Sequence, residues 1–336
     1  MMWLTQHTLT RRLLSIPAYI MLTLLVLISA PLWIPMIWLL GHIRPSARSG
    51  LRCLTFVCLY LLCETAGIVA SGWLWLRYGL SRKQQAHYLA ANSQLQYWWA
   101  DTLRRGAEKL FRLRFEIEGE EALNGPAAIV LPRHTSIGDT VLPMSFYAIP
   151  KAFRVRYVLK RELLLDPCLD IVGNRLPNAF VNRVAEDMDS ELKVLHKLAA
   201  TAADDDALVI YMEGTRFSTN KRQRILRQLA ANDAPEALRN AERWTTVLPP
   251  RPAGALTLMA AAPHKDLLFF AHSGFEGSAS FTSLFNGSWM DTTVRLSFWR
   301  IPAADIPDDP EGRRALLLEQ WELMHRKLSE MADRPA

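Results

Sequence analysis

The sequence predicts a three-layer α/β domain behind an apolar, basic N-terminal segment. Three observations carry this. Between about residues 110 and 310, short β-rich runs alternate with helical stretches, the pattern of strands and helices stacked in layers. Two of the runs, Ala127–Leu131 and Leu208–Met212, are apolar without alternation, as strands covered on both faces are. The first eighty residues concentrate the apolar side chains, with Leu13–Leu40 almost unbroken except by Pro17, Pro31 and Pro35. At 336 residues, half of them hydrophobic, the chain has enough material for one sizeable core with an appendage, or for two domains.

Leu13–Leu40 exceeds the roughly 20 apolar residues that a membrane-spanning helix needs. A second run, Leu54–Leu76, contains Glu64. Residues 1–100 carry eight Lys/Arg and one acid, whereas the remainder carries 31 bases against 32 acids, so the net charge of +6 resides in the N-terminal part. That distribution argues against nucleic acid as a partner of the folded domain and for a basic segment against anionic lipid. A simple double span places Arg11, Arg12, Arg77, Arg82 and Lys83 on the cytoplasmic side and leaves Arg44, Arg48 and Arg52 outside, against the usual charge bias. Residues 1–80 are therefore read as a membrane-embedded helical hairpin, either spanning or broken by its prolines and re-entrant. Glu64 reads either as a buried acid with a helix partner or as a polar residue tolerated near a packed face.

Residues 81–110 read as an amphipathic interfacial helix. Its Tyr97, Trp98 and Trp99 suit either a headgroup anchor or core packing. The α/β domain spans 111–310. Its expected strands are Arg114–Glu118, Ala127–Leu131, Val155–Leu159, Ala179–Asn182, Leu208–Met212, Leu267–His272 and Thr293–Trp299. Its expected helices are Asp139–Ile149, Ala185–Ala203, Ile225–Asn240 and Ala253–Ala262. Residues 217–246 form a polar insert rich in Arg, Gln and Asn. A last helix occupies 311–336, capped by Asp308-Asp309-Pro310, with Leu317, Trp321, Met324, Leu328 and Met331 repeating by four and three. The four cysteines, Cys53, Cys58, Cys63 and Cys168, form no CxxC pair, so reduced buried thiols are expected rather than a disulfide framework or zinc site.

Four short motifs stand at predicted strand ends. His134 precedes Asp139 by five residues, a spacing in which a carboxylate can hold an imidazole in one tautomer while the ring takes a proton from a hydroxyl. Five residues of regular helix turn about 500°, leaving the side chains roughly 140° apart, so the pair requires His134 in a loop and Asp139 in the first turns that follow. Phe180-Val181-Asn182-Arg183 ends another strand with a cation. Glu213-Gly214-Thr215-Arg216 follows the buried run Leu208–Met212, at the sheet edge where ligands usually bind. Leu248-Pro249-Pro250-Arg251 is a rigid loop before a helix start, where backbone N–H groups favour an anion. Each alone has a bland explanation: a surface loop histidine, a solvated strand end, a plain turn.

In this order the four resemble the motifs of the PlsC-like glycerolipid acyltransferase family, that is, HX4D, a Phe-Val-Asn-Arg-like segment, EGTR and a proline-containing fourth motif. The resemblance covers roughly residues 125–275. Lys160-Arg161-Glu162-Leu163, EGTRF and the longer insert look most like its lysophospholipid branch; Arg133 stands where the family often has Asn. The resemblance implies an acyltransferase-type fold with a mixed sheet. It implies transfer from acyl-CoA or acyl carrier protein to the hydroxyl of 1-acylglycerol-3-phosphate, giving phosphatidic acid, or to a headgroup-bearing lysophospholipid. His134 and Asp139 would be catalytic. Arg183, Glu213, Gly214, Thr215 and Arg216 would hold the acceptor, and Pro249 would help shape the donor side. No metal, resident cofactor or acyl-enzyme is implied. The expected location is a membrane, a bacterial inner membrane with the domain facing the cytoplasm. A lipid hydrolase would need a GxSxG elbow, which the chain lacks; a non-enzymatic lipid-binding protein is the other rival.

Overall fold

The structure, a computed structural model, describes residues 5–43, 45–182, 188–232, 235–276, 278 and 285–334. Two long helices, α1 (Thr8–Ile43) and α2 (Pro45–Leu74), fold back on one another, with the hydroxyls of Thr23 and Thr65 2.9 Å apart. Then follow α3 (Gln85–Phe111), β1 (Arg114–Glu118), β2 (Ile129–Pro132), β3 (Arg154–Lys160), α4 (Pro167–Arg175), β4 (Ala179–Val181), α5 (Met188–Ala200) and β5 (Asp206–Val209). The chain continues through α6 (Thr219–Ala231), α7 (Pro235–Arg243), α8 (Ala253–Ala261), β6 (Leu267–Ser273), β7 (Thr293–Ile301) and α9 (Pro310–Ala332).

The strands form one sheet in the order β1-β7-β6-β2-β5-β3-β4. β6, β2, β5, β3 and β4 run parallel; β7 is antiparallel to β6 and parallel to β1, so the sheet is mixed. Every residue of β2, β5 and β6 is buried, as the unbroken apolar runs predicted for β2 and β5. One face of the sheet packs beneath α3 and the start of α2 through Phe56, Phe111, Leu142, Tyr147 and Phe270. The other packs beneath α5, α8 and α9 through Leu195, Leu258, Phe269 and Trp321. These are the three layers. Asp309 caps α9 by accepting from the Gly312 amide at 2.7 Å, Pro310 opens the helix, and its five-residue apolar stripe is buried.

Several elements differ from the reading of the sequence. The helix expected at Asp139–Ile149 opens as a tight 3-10 turn at Gly138–Val141 and widens at Met144–Ala148. The helix expected at Ile225–Asn240 is two helices, because Pro235 begins a new one rather than continuing the old. Of the expected Ala185–Ala203 helix, the described part is α5. Helix α4 was not foreseen, although Asp166-Pro167 is a helix start: the Asp166 carboxylate accepts from the Leu169 amide at 3.0 Å.

Helix α1 carries Pro17, Pro31 and Pro35 inside its 36 residues without ending at any of them. In an apolar run no other partner satisfies the backbone, so the helix continues past each lost hydrogen bond. It runs to Ile43, and α2 begins at Pro45.

Helix α2 is laid along the α/β domain by a stripe of helical period. Phe56 packs on Phe111 and Trp289; the Tyr60 hydroxyl donates to Asp166 at 2.6 Å. Glu64 accepts from Trp99 Nε1 at 2.7 Å and from the Cys168 amide at 3.3 Å. A side chain at Gly67 would meet the Cys168 sulfur, and the Ser71 carbonyl accepts from Arg175. Glu64 is thus a buried acid with helix partners. Tyr97 and Trp99 serve core packing, while Trp98 is exposed.

At the far end, Arg11 grips Asp170 with two nitrogens at 2.7 and 3.0 Å, and both residues are buried; Arg12 adds a third contact. The rest of α1 turns apolar side chains outward, among them Leu13, Leu25, Ile28, Leu32 and Trp38. The stretches Thr8–Leu40 and Ser49–Gly79 are long and apolar enough to cross a membrane.

Candidate active site

The carboxyl ends of the adjacent strands β6, β2 and β5 lie side by side, at the sheet edge where open α/β sheets bind ligands, here called the crevice. Strand β2 ends at Pro132, and the next residues leave the sheet as a loop. In that loop His134 Nδ1 lies 3.1 Å from Asp139 Oδ1. The other carboxylate oxygen, Oδ2, accepts from the amides of Thr135 at 2.6 Å and Ser136 at 2.7 Å. The carboxylate closes the loop on itself, so the five-residue spacing works without a regular helix. Gly138 makes room for this: a Cβ there would lie 2.7 Å from the Trp289 ring.

Asp139 is fully buried. Burial alone would raise its carboxyl, but His134, then His272 and the Ser136 amide, outweigh it and hold the group below its ordinary value. An anion at this position makes Nδ1 the protonated nitrogen of a neutral imidazole and leaves Nε2 as the basic one. The His134 ring is partly exposed and packs on Tyr211, ring centres 4.5 Å apart. The Tyr211 hydroxyl donates to the Asp139 carbonyl at 3.1 Å.

Strand β5 leads into Glu213-Gly214-Thr215-Arg216. Glu213 is buried, and its two oxygens accept from the His134 amide at 2.6 Å and the Leu248 amide at 3.0 Å. The His134 carbonyl accepts from the Phe217 amide at 2.7 Å. Both main-chain groups of His134 are therefore gripped by the two ends of the EGTRF segment, Glu213 and Phe217. Both Glu213 oxygens are thus occupied by backbone amides, and Glu213 clamps the His134 loop to the proline-rich loop. Burial pushes its carboxyl up to about 8, despite the two amides and Arg133, which favour the anion.

Gly214 has φ +69°, and its missing Cβ would sit 3.3 Å from Arg251 Cδ. The Arg251 amide donates to the Met212 carbonyl at 2.8 Å, and Pro249 is half-buried between these two attachments. Lys221 donates to the Thr215 hydroxyl at 2.9 Å and to the Arg216 carbonyl at 3.0 Å. Burial, Arg216, Arg224 and Lys160 together lower the Lys221 ammonium, so a group of cations rims this end of the crevice. Arg183 lies outside the described residues. Lys160, the last residue of β3, pairs with Glu162 at 2.9 Å, and Arg161, which follows it, with Glu191 at 3.4 Å.

Two residues at the crevice were missed in the sequence. Arg133 is buried beneath the site, donating to the carbonyls of His272 and Thr246, each at 2.8 Å, and pairing with Glu276. His272, the penultimate residue of β6, is wholly buried. Its Nε2 lies 3.0 Å from the Arg133 carbonyl and 3.6 Å from Asp139 Oδ2, and burial lowers its pKa, keeping the ring neutral. Adjacency to His134 was the one signal for Arg133. His272 left none, because it reads as the end of an apolar strand.

The geometry brings a histidine, a buried carboxylate and a group of cations together at one sheet edge. A family model described as acyltransferase matches residues 114–265. The chain is 26% identical over 227 residues to 1-acyl-sn-glycerol-3-phosphate acyltransferase epsilon of Mus musculus, covering 65% of this chain and 61% of that protein. It thus spans about three fifths of the relative's length. Its fold is similar to the crystal structure of the 1-acyl-sn-glycerophosphate (LPA) acyltransferase PlsC from Thermotoga maritima, with TM-score 0.53, 16% identity, and coverage of 87% of this chain and 100% of that one. Residues 114–265 thus match an acyltransferase domain, and the chain is similar in sequence and fold to PlsC-like acyltransferases.

Proposed function

We propose that this protein transfers an acyl group from acyl-CoA or acyl carrier protein to the free hydroxyl of 1-acylglycerol-3-phosphate, giving phosphatidic acid. The observation that carries the reading is the His134–Asp139 pair at 3.1 Å, with both main-chain groups of His134 held by Glu213 and Phe217. Nε2 of His134 takes the hydroxyl proton as the oxygen attacks the thioester carbonyl carbon; the C–S bond breaks, and the proton passes to the departing thiolate. The Asp139 carboxylate stabilises the imidazolium between these steps. Arg216 is the cation of this segment suited to the acceptor's phosphate, and Pro249 with its neighbours borders the donor side. The acceptor named for both the mouse relative and the Thermotoga enzyme supports the choice of lysophosphatidate.

The same proposal places the hairpin of α1 and α2 in one leaflet, with the domain at the cytoplasmic face. Residues 53 to 71 of α2 lie against the domain for about 27 Å of helix. A perpendicular α2 would carry Asp170, Arg175 and the domain's surface into hydrocarbon, at several kcal/mol for each unsatisfied group. A hairpin lying in one leaflet keeps every basic cluster on the same side, which removes the conflict in the charge pattern.

The test is acyl transfer by the detergent-solubilised protein from labelled oleoyl-CoA to a panel of lysolipids, beside His134→Ala. Product from lysophosphatidate is the expected result. Product mainly from headgroup-bearing lysolipids would move the assignment to phospholipid remodelling. Turnover retained by a folded His134→Ala protein would remove the mechanism.

A further inference from the structure

Helix α6 belongs to the polar insert, and the mechanism above does not use it. From Phe217 to Asn232 the chain has no acidic residue and four cations, Lys221, Arg222, Arg224 and Arg227. The helix is held as a platform. Ser218 caps it, and Arg222 reaches back to the carbonyls of Trp244 and Glu242, each at 2.7 Å. Lys221 ties its first turn to Thr215 and Arg216. Arg224 and Arg227 are exposed and form no ion pair among the described residues. An open concavity of about 500 Å³ runs along this side, lined by Asn220, Lys221, Arg224, Arg227, Gln228 and Ala231.

We propose that this basic face of α6 binds the phosphates of a coenzyme A thioester and so holds the acyl donor with its thioester directed toward His134. The inference rests on the acyl-transfer reading and adds the donor's site and chemistry to it. Lys221, Arg224 and Arg227 recur every three residues, about 4.5 Å apart along the axis, a row of donors for a ligand bearing several phosphoryl groups. The concavity, about 500 Å³ and open to solvent, is large enough for a nucleotide. A lipid surface is disfavoured by position. The apolar hairpin packs on the sheet face that carries α3, whereas the insert is fastened through Trp244 to the opposite face, with α8 and α9. At its first turn the row adjoins the EGTR segment that grips His134, so donor and acceptor phosphates would be held by neighbouring groups.

Calorimetric binding of free coenzyme A to the detergent-solubilised full-length chain tests this, comparing wild type with Arg224→Glu/Arg227→Glu. Both positions are exposed, so the fold survives, and the milder Arg224→Ala/Arg227→Ala pair provides a second variant. Charge reversal is expected to weaken coenzyme A binding about tenfold or more, as loss of charge-assisted phosphate contacts does. The wild-type affinity should also fall steeply with salt, and dephospho-coenzyme A should bind more weakly than coenzyme A. In turnover, the KM for oleoyl-CoA should rise while that for lysophosphatidate moves less than about twofold. No coenzyme A binding to wild type, or equal binding by wild type and charge-reversed protein, would overturn the site. Loss of binding to phosphatidylglycerol vesicles with coenzyme A binding intact would also overturn it and assign α6 to lipid. Coenzyme A binding through α6 with no acyl transfer to any lysolipid would count against the catalytic reading alone. Acyl transfer unaffected by the substitutions would count against the α6 site alone.

Discussion

The crevice and the N-terminal hairpin solve opposite problems. In the crevice, polar groups are buried, and each charge is matched by partners distant in sequence: Glu213 reaches residues 134 and 248, and Arg133 reaches 246, 272 and 276. In the hairpin, apolar groups are turned outward over most of α1, and the buried charge is concentrated where the two regions meet, at Arg11–Asp170. A side chain buried in protein needs a partner, because desolvation of an unpaired charge is expensive. An apolar side chain turned outward needs a different solvent, because water disfavours it by about 25 cal/mol for each Å². The first region therefore reads as chemistry and the second as location.

The largest expected effect would break the crevice's half of that contrast. His134→Ala should lower kcat about 10²- to 10⁴-fold, the usual share of a general base, with the melting temperature nearly unchanged. Asp139→Asn should do nearly as much by another route. Its amide N–H₂ would face Nδ1, forcing the proton onto Nε2 and blocking the base. A folded Asp139→Asn protein with wild-type kcat would show that the tautomer does not matter.

Next comes the joint between the regions. Asp170→Ala leaves Arg11 buried without its carboxylate and should destabilise by about 3–5 kcal/mol, read by denaturant unfolding in detergent. A change under about 0.5 kcal/mol, the level of an ordinary surface substitution, would mean the hairpin is not anchored there. Glu213→Gln keeps one acceptor and sets an amide donor against a backbone N–H, which should cost about 1–3 kcal/mol and lower kcat by loosening the His134 loop. If stability falls while kcat holds, the clamp serves the fold and not the base.

Arg216→Ala should raise the KM for lysophosphatidate about tenfold, as loss of one charge-assisted contact does, with little change in the KM for oleoyl-CoA. The reverse pattern would move Arg216 to the donor. The smallest effect is on pH dependence. Asp139 is held below its ordinary value, so it contributes stability that is present above the unfolded carboxylate's pKa and is lost as pH falls through the lower native one. Thermal melts from pH 6 downward should therefore show a shallower acid decline in Asp139→Asn than in wild type. Parallel acid limbs would show that Asp139 does not contribute to it.

Much of this molecule could be read from its chain. The buried strands β2 and β5 announced themselves as unbroken apolar runs, and the period of Leu317, Trp321, Met324, Leu328 and Met331 found α9. The spacing of His134 and Asp139 named a pair that the loop then brought to hydrogen-bonding distance. What stayed hidden was whatever depends on a partner far along the chain. Glu213 looked like a ligand for phosphate because its neighbours are Gly214, Thr215 and Arg216; nothing in that tetrapeptide says that two amides 79 and 35 residues away occupy it. Glu64 was ambiguous for the same reason until Trp99 and Cys168 closed on it.

By itself the sequence determined the layers, the strand and helix types, the apolar basic N-terminus and the order of the motifs, because local periodicity and local turn chemistry set these. Tertiary structure alone decided the strand order, the burial of His272 and Arg133 behind the site, the clamp at Glu213 and the seating of α2 along the domain. Each of those depends on which backbone groups meet in space, and a hydrogen bond between residues a hundred positions apart leaves no periodic trace in either segment.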